Sequence, residues 1–194
     1  YQRRIDKMRQ KKQELVDIIP LLQNQMGISL YKPRIQFYEG EEGLQTILED
    51  MLLHQNIETL ALWPIENMMD VMTEDFTHFH NAQRIKRNIS IKVIWPNTQV
   101  SDMDKWPYLS VGKEFLREAR TAPTDTDFKM GYWIYDNIAA FISSRAETFG
   151  FTIESTEFIA LLKMQFDIIW NISKPFDFRS KAADIFLDEF KQED

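Results

Sequence analysis

Three histidines, His54, His78 and His80, are the side chains of this sequence best suited to proton transfer or metal binding near neutral pH. Glu74 and His78 are spaced by about one helical turn, so a helix would place a carboxylate and an imidazole on one face. His80 falls on another face, and a metal ion would need ligands from elsewhere in the chain. The spacing therefore favours an exposed Glu–His pair, and no metal site is predicted.

A glycine-bearing segment offers a second kind of chemistry. Gly40 and Gly43 would let a turn and a helix N-terminus approach an anion. Glu39, Glu41 and Glu42 oppose an anion there, so the segment is interpreted as a strand-to-helix turn. The sequence contains no Walker A motif, no Gly-x-Gly-x2-Gly and no Gly-x-Ser-x-Gly. No cofactor is predicted.

Composition indicates one folded, soluble domain. The chain has 194 residues, of which 44% are hydrophobic and 27% charged, and it has no cysteine, which excludes disulfide-built and zinc-finger folds. No run approaches 18 apolar residues and no signal peptide opens the chain, so a cytoplasmic protein without a membrane span is expected. Because the first residue is Tyr1, a fragment of a longer chain is expected.

Charge is distributed unevenly. Residues 1–12 hold six basic residues and one acidic residue, which gives a charge of +5. Because the net charge of the chain is −7, the remaining residues carry −12. An acidic body repels phosphate backbones, and it is not expected to bind nucleic acid by itself. The basic segment is interpreted as a solvated helix face in preference to a direct DNA contact.

A heptad pattern marks the N-terminal arm. Apolar residues recur at steps of three and four, with Lys12 at the interrupted position, and Pro20 predicts two helices or a kink. Two arms pairing as a coiled coil would bury this stripe, and the alternative is an arm folded back on its own domain. The predicted dimerisation residues are Ile5, Met8, Leu15, Ile19, Leu22 and Met26.

After the arm, strand-like and helix-like segments alternate. Strands are predicted at 34–38, 59–63, 91–95, 118–121, 132–135, 138–143 and 149–153, and helices at 44–52, 67–87, 155–174 and within 176–194. The first three strands, joined by helices, predict right-handed crossovers and a parallel sheet. The predicted division is an arm at 1–30, a main domain at 31–174 and a helical tail at 175–194.

Six segments, taken in order, resemble the C-terminal domain of TrmB-type transcriptional regulators. They are residues 32–44, 84–94, 116–120, 134–143, 150–155 and 166–170, and together they span about residues 31–172. The resemblance implies a winged helix before residue 1, a helical dimerisation linker and a domain related in fold to phospholipase D. The expected fold class is α/β, a phospholipase D-like mixed sheet flanked by helices, with a coiled-coil-like arm.

The same resemblance implies a function. We expect a non-enzymatic effector-sensing or dimerisation domain of a homodimeric regulator that reaches DNA through the winged helix and has a possible small-molecule effector. Two alternatives stay open, namely a divergent phospholipase D-like phosphodiesterase or nuclease, and a dimerisation module without a ligand. Nothing predicts a membrane partner.

The enzymatic alternative can be tested on the residues. Phospholipase D chemistry needs His-x-Lys-x4-Asp, since the histidine attacks phosphorus and the lysine holds the phosphoryl oxygens. With the aspartate aligned on Asp136, Lys129 replaces the histidine and Gly131 replaces the lysine. No catalytic residue is therefore predicted.

Aromatic residues near predicted strand ends are the remaining candidates. Ligands of open α/β sheets settle outside the carboxyl ends of parallel strands, where rings can stack on a sugar or another flat molecule. The alternative is that the rings belong to the core or to a dimer seam. The candidate aromatic residues are Tyr38, Trp63, Trp95 and Trp133, and the candidate polar partners are Glu39, Glu66, Asn97 and Arg117.

Overall fold

The computed structural model describes residues 3–8, 10–11, 33–124 and 126–191. Residues 3–8 and 10–11 are helical and belong to helix α1. The other helices are α2 (Gly40–Met51), α3 (Ile65–Val71), α4 (Glu74–Lys86), α5 (Thr156–Ile172) and α6 (Ala183–Lys191). The strands are β1 (Arg34–Glu39), β2 (Glu58–Leu62), β3 (Ser90–Trp95), β4 (Arg117–Thr121), β5 (Gly131–Tyr135), β6 (Ile138–Ile142), β7 (Phe149–Glu154) and β8 (Lys174–Phe176).

All eight strands form one mixed sheet in the order β1-β7-β6-β5-β2-β3-β4-β8. Only β2, β3 and β4 run parallel to one another, and every other neighbouring pair is antiparallel. The predicted α/β class with a mixed sheet is confirmed. The expected parallel pairing of the first strand is wrong, because β1 lies at the far edge beside β7. The meander from β5 to β7 fills the space between β1 and β2 and satisfies the backbone groups of both.

Helices cover the two faces of the sheet unequally. Apolar side chains of α2, α3, α4 and α6 share the largest core with one face, while α5 alone covers the other. The hydroxyl of Ser155 accepts a hydrogen bond from the Phe158 amide and caps α5. Among the described residues, no helix is long and apolar enough to cross a membrane.

The segment predicted as one helix at 67–87 forms two. Met72 is extended (φ −102°, ψ 142°), and the hydroxyl of Thr73 accepts a hydrogen bond from the Phe76 amide at 3.2 Å. A threonine hydroxyl competes with helix continuation and favours a new N-cap. The break between α3 and α4 follows from this cap.

Residues 174–191 belong structurally to the sheet domain. Strand β8 pairs with β4 across the predicted boundary at 175, and Pro175 is tolerated because β8 is an edge strand. Phe186 and Leu187 on α6 are buried in the main core. The tail therefore packs with the body and does not form a separate layer.

Helix α1 contacts the body directly. Ile5 is fully buried in the core that also contains α2, and Met8 is half-buried. At Ile5 the structure corrects the predicted seam position, because a side chain buried within its own chain has no surface left for a second arm. The remaining dimerisation residues, Leu15, Ile19, Leu22 and Met26, lie outside the described residues, and pairing through them stays a prediction.

Candidate functional site: an aromatic cavity

Four of the eight predicted ligand residues line one cavity. Trp63, Trp95, Trp133 and Arg117 meet there, although they lie far apart in sequence. The cavity lies under α3 and α4, and its volume of about 30 Å³ has room for one or two water molecules. The other lining residues are Leu48, Met68, Met69, Met72, Phe76, Thr77, His80, Asn81, Ile91, Val93 and Leu109.

Trp133, on β5, is the central ring of this cavity. Its ring meets that of Trp63 edge-on, with centroids 5.3 Å apart, and that of His80 at 5.6 Å. The indole Nε1 of Trp133 is buried and has no hydrogen-bond partner among the described groups. An unsatisfied buried donor costs roughly 1–3 kcal/mol, so Trp133 is held there by ring packing.

Arg117, at the start of β4, contributes a buried positive charge to the cavity wall. Its Nη1 donates to the carbonyl oxygens of Tyr108 at 2.8 Å and Ser110 at 3.0 Å, and its Nη2 donates to Oδ1 of Asn81 at 2.6 Å. Burial lowers the pKa of Arg117 to about 9. The guanidinium is thus still protonated at neutral pH and is fixed by three acceptors.

Arg84, on α4, places a second buried guanidinium near the first. It donates to the carbonyl oxygens of Ile89 and Phe115, both at 2.6 Å, and of Leu116 at 3.2 Å. Burial, followed by the charge of Arg117, lowers the pKa of Arg84. No described carboxylate forms an ion pair with either arginine. The interior beside the cavity therefore carries uncompensated positive charge.

His80 was predicted to lie on a separate helix face, and the structure buries it completely in the cavity wall. Its Nε2 lies 3.3 Å from the carbonyl oxygen of Leu48. Burial, followed by the charge of Arg84, lowers the pKa of His80 to about 3. The imidazole is neutral at physiological pH, so it does not act as an imidazolium general acid. This burial results from the packing of α4 against the sheet and cannot be seen in the sequence pattern.

One of the three positions of the phospholipase D motif is closed by packing. A Cβ atom at Gly131 would lie 3.0 Å from both Trp63 Cε3 and Pro64 Cδ. Lys129 is exposed, and Asp136 lies in the turn after β5, where its Oδ2 is 3.9 Å from Nε2 of His54. The position that the motif gives to a lysine is thus covered by Trp63 and Pro64.

The other four candidate residues do not join the cavity. Tyr38 lines a different cleft of about 520 Å³, together with Asp50, His54 and Asp136. Glu39 is an exposed residue that precedes α2, and its segment forms the expected strand-to-helix turn at Gly40 (φ +71°). Glu66 and Asn97 are exposed near the start of α3 and after β3.

Glu74 and His78 do not form the predicted pair. Nε2 of His78 lies 3.1 Å from Oε2 of Glu189, which joins α4 to α6. Within the described part of the chain, no group of three or more acidic, histidine or cysteine side chains could hold a metal ion.

Comparison with known proteins gives a fold and no family. No family model and no curated protein matches the sequence. Among solved structures, this chain is similar to TrmBL2, which is described as an archaeal chromatin protein with a novel mode of DNA binding. The two align with a TM-score of 0.54 at 16% identity, and the alignment covers 90% of this chain and 66% of TrmBL2. This chain thus spans slightly less than two thirds of that relative.

Two shorter structures match over their whole length. NucT from Helicobacter pylori has a TM-score of 0.53 at 8% identity, and the phospholipase D family member Nuc from Salmonella typhimurium has 0.50 at 13%. The alignments cover 75% and 76% of this chain and 100% of each relative. At such identities the likeness shows the fold alone, which is phospholipase D-like and shared with a DNA-binding protein.

Proposed function

We propose that this chain is the non-enzymatic, effector-sensing domain of a DNA-binding transcriptional regulator. The observation that carries the proposal is the composition of β5. Gly131 stands where a phosphodiesterase would need its lysine, and two residues later Trp133 lines the aromatic cavity. One strand thus lacks the phosphoryl clamp and carries a ring suited to binding a flat molecule.

The loss of catalysis follows from the groups available. A phosphodiesterase of this fold needs a nucleophilic imidazole and a cation on the phosphoryl oxygens. Lys129, at the histidine position, has no imidazole, and Gly131, at the lysine position, has no cation. A side chain at Gly131 would have to displace Trp63 and Pro64. His80 is enclosed by the core, with its Nε2 near the carbonyl oxygen of Leu48. His54, whose Nε2 lies 3.9 Å from Oδ2 of Asp136, begins the sequence His-Gln-Asn and lacks the lysine of the motif.

Effector binding requires the cavity to open, and α3 is the element suited to move. It has only seven residues, no side-chain cap at its N-terminus, and an extended residue, Met72, at its C-terminus. Met68, Met69 and Met72 line the cavity from this side, and methionine side chains adapt to ligands of different shape. A flat ligand with hydrogen-bond acceptors could stack on the indoles and accept from Nε1 of Trp133.

In this proposal DNA is bound by a winged helix outside these 194 residues, and the chain acts as a homodimer. The net charge of −12 on residues 13–194 keeps the body away from phosphates, while the arm with +5 lies towards the DNA. A ligand that favours one position of α3 would change the relative position of the two arms.

Native mass spectrometry of the purified chain tests the proposal, in parallel with turnover of bis(4-nitrophenyl) phosphate. We expect a retained small-molecule mass that Trp133→Leu removes, no phosphodiester turnover, and no change with Trp106→Phe, a matched tryptophan outside the cavity. Turnover that Asp136→Asn abolishes would instead establish the phosphodiesterase alternative.

The small cavity favours a second candidate, a dimerisation module without a ligand. At about 30 Å³ the cavity has room for only one or two waters, and the rings around it pack as core. This candidate predicts a dimer that retains no mass, and a thermal midpoint that Trp133→Leu lowers without any effect on association.

A further inference from the structure

The charged groups at the aromatic cavity are all cationic. Arg117 lies in the cavity wall and is 6% exposed, and Arg84 is fully buried on α4. Burial, followed by the charge of Arg84, lowers the pKa of His80 in the same wall, and Arg117 lowers it further. The described lining of the cavity includes no aspartate or glutamate. A ligand in this cavity therefore meets positive charge only.

Neither arginine has a counter-charge within the described part of the chain. Backbone carbonyl oxygens and Oδ1 of Asn81 accept the hydrogen bonds of both guanidinium groups. Burial alone lowers the pKa of Arg117, and burial followed by the charge of Arg117 lowers that of Arg84, so no carboxylate opposes either shift. Buried charges in proteins are normally paired with an opposite charge. The counter-charge that is absent here is therefore a group that a ligand can bring.

Trp133 adds one unsatisfied donor to the same cavity. Its indole Nε1 is buried without a hydrogen-bond partner among the described groups, and the residue is 5% exposed. Asn81 is satisfied within the chain, because its Oδ1 accepts from Arg117 and its Nδ2 donates to the carbonyl oxygen of Thr77. An acceptor on a ligand would recover the cost of the unpaired indole donor. One carboxylate supplies both that acceptor and the missing negative charge.

The shape of the cavity restricts the rest of the ligand. The rings of Trp63 and Trp133 meet edge-on at 5.3 Å, and Trp95 completes an aromatic wall. Such a wall favours a flat, polarisable ring. Because the volume is only about 30 Å³, the methionine side chains of α3 must move before a ring can enter. A small ligand with a single ring requires the least movement.

We propose that the effector of this cavity is a small aromatic monocarboxylate. Its ring lies among the three tryptophans, and its carboxylate accepts from Nε1 of Trp133 and balances the charge of Arg117. A planar, singly charged group is favoured over phosphate or sulfate, because the wall offers one free indole donor and a tetrahedral anion needs several. This inference rests on the proposed function, since it names the class of ligand for the same cavity.

Benzoate, benzamide and benzamidine provide the test, because they share one ring and one shape. The first is an anion, the second is neutral and the third is a cation at pH 7. Their binding to the purified chain is measured by isothermal titration calorimetry at concentrations up to about 10 mM. We expect benzoate to bind at least about tenfold more tightly than benzamide, and benzamidine to show no binding.

Three variants assign the preference to the cavity. Trp133→Phe keeps a ring but removes the donor, so it is expected to weaken benzoate and benzamide alike by about fivefold. Arg117→Lys keeps the charge and is expected to keep the preference for benzoate. Arg117→Met is expected to abolish that preference, and circular dichroism establishes that the variant is folded. Trp106→Phe, outside the cavity, is the control and is expected to change neither affinity.

The wild-type comparison alone can overturn the proposal, even if Arg117→Met does not fold. Equal binding of benzoate and benzamide, tighter binding of benzamidine, or no binding of any of the three would each do so. A retained neutral mass that Trp133→Leu removes, together with no preference for benzoate, would contradict this inference and leave the proposed function standing. No retained mass and no binding of any probe would contradict both.

Discussion

Nε of Arg4 lies 3.0 Å from Oε2 of Glu49, and this ion pair joins α1 to α2. The Glu49 side chain is fully buried, whereas that of Arg4 is 41% exposed. Burial raises the pKa of Glu49, and the charge of Arg4 opposes that rise. Together with Ile5, the pair holds the first described turns of the arm against the body.

Arg4→Ala is expected to destabilise the chain by about 2 kcal/mol at pH 7, because a buried carboxylate is left without its cation. Adding Glu49→Gln removes that charge and is expected to recover part of the loss. Urea unfolding midpoints measure both, with Arg3→Ala at an exposed neighbouring position as control. Since the pKa of Glu49 rises further in Arg4→Ala, the deficit should shrink as the pH falls from 7 to 5. A deficit that grows on acidification would contradict this assignment.

Close packing requires glycine at positions 150 and 131. We expect alanine to cost more stability at Gly150, where the contacts are closer, than at Gly131. A Cβ atom at Gly150 would lie 2.7 Å from the carbonyl oxygen of Phe141 and 2.6 Å from Ile47 Cδ1, both closer than any contact of a Cβ at Gly131. Gly150→Ala should therefore cost about 3 kcal/mol and Gly131→Ala about 1–2 kcal/mol. Chemical denaturation measures both.

At Gly40 an added Cβ meets nothing within 4 Å, and only its φ of +71° opposes alanine. Gly40→Ala is expected to cost about 1 kcal/mol and serves as the strain control. A Gly150→Ala variant as stable as Gly40→Ala would show that β7 can shift away from α2.

Gly131→Lys, which restores one residue of the phosphodiesterase motif, is expected to unfold the site without creating turnover.

Local patterns in the sequence were sufficient for most elements and insufficient for their arrangement. The strand at 34–38 is predicted correctly from its alternation, yet its partner depends on the meander from β5 to β7, which no local pattern encodes. Thr73 could be recognised as a capping residue, but the apolar period continues through it and predicts one helix. β8 is too short, at three residues, to produce any periodicity.

The cavity shows the same limit at the level of side chains. Trp63 and Trp95 were found because both lie at the carboxyl ends of parallel strands, where ligands of such sheets gather. Arg84 and His80 were missed because charged and polar residues on a helix are normally exposed, and only the packing of α4 against the sheet buries them.

His80 is expected to make stability depend on pH. The folded chain keeps this imidazole neutral, with a pKa of about 3, whereas the unfolded chain binds a proton below the ordinary value of 6.5. Unfolding therefore takes up a proton between these values, and stability falls by at most about 1.4 kcal/mol per pH unit as the pH drops from 6.5 towards 3. Urea unfolding at pH 7, 5.5 and 4.5 measures the slope.

His80→Gln removes the titration while keeping a donor for the carbonyl oxygen of Leu48. Its stability is expected to be lower than that of wild type at pH 7 and to decline less on acidification. His78→Gln, at the exposed neighbouring histidine, is the control for general effects of pH. Parallel slopes for wild type and His80→Gln would mean that His80 is accessible to protons in the folded chain.

Arg84 and Arg117 are expected to be coupled, because each guanidinium raises the electrostatic cost of the other. Arg84→Met leaves the carbonyl oxygens of Ile89 and Phe115 without their donor, and we expect a loss of about 3 kcal/mol, with a similar loss for Arg117→Met. The double variant should lose about 1 kcal/mol less than the sum, since each change relieves the repulsion on the remaining arginine. Chemical denaturation of the four proteins of the cycle measures this coupling, with Lys92→Met as an exposed control. Additivity within about 0.3 kcal/mol would instead show that the carbonyl oxygens already neutralise both charges, and the cavity wall would then carry no positive potential for a ligand to meet.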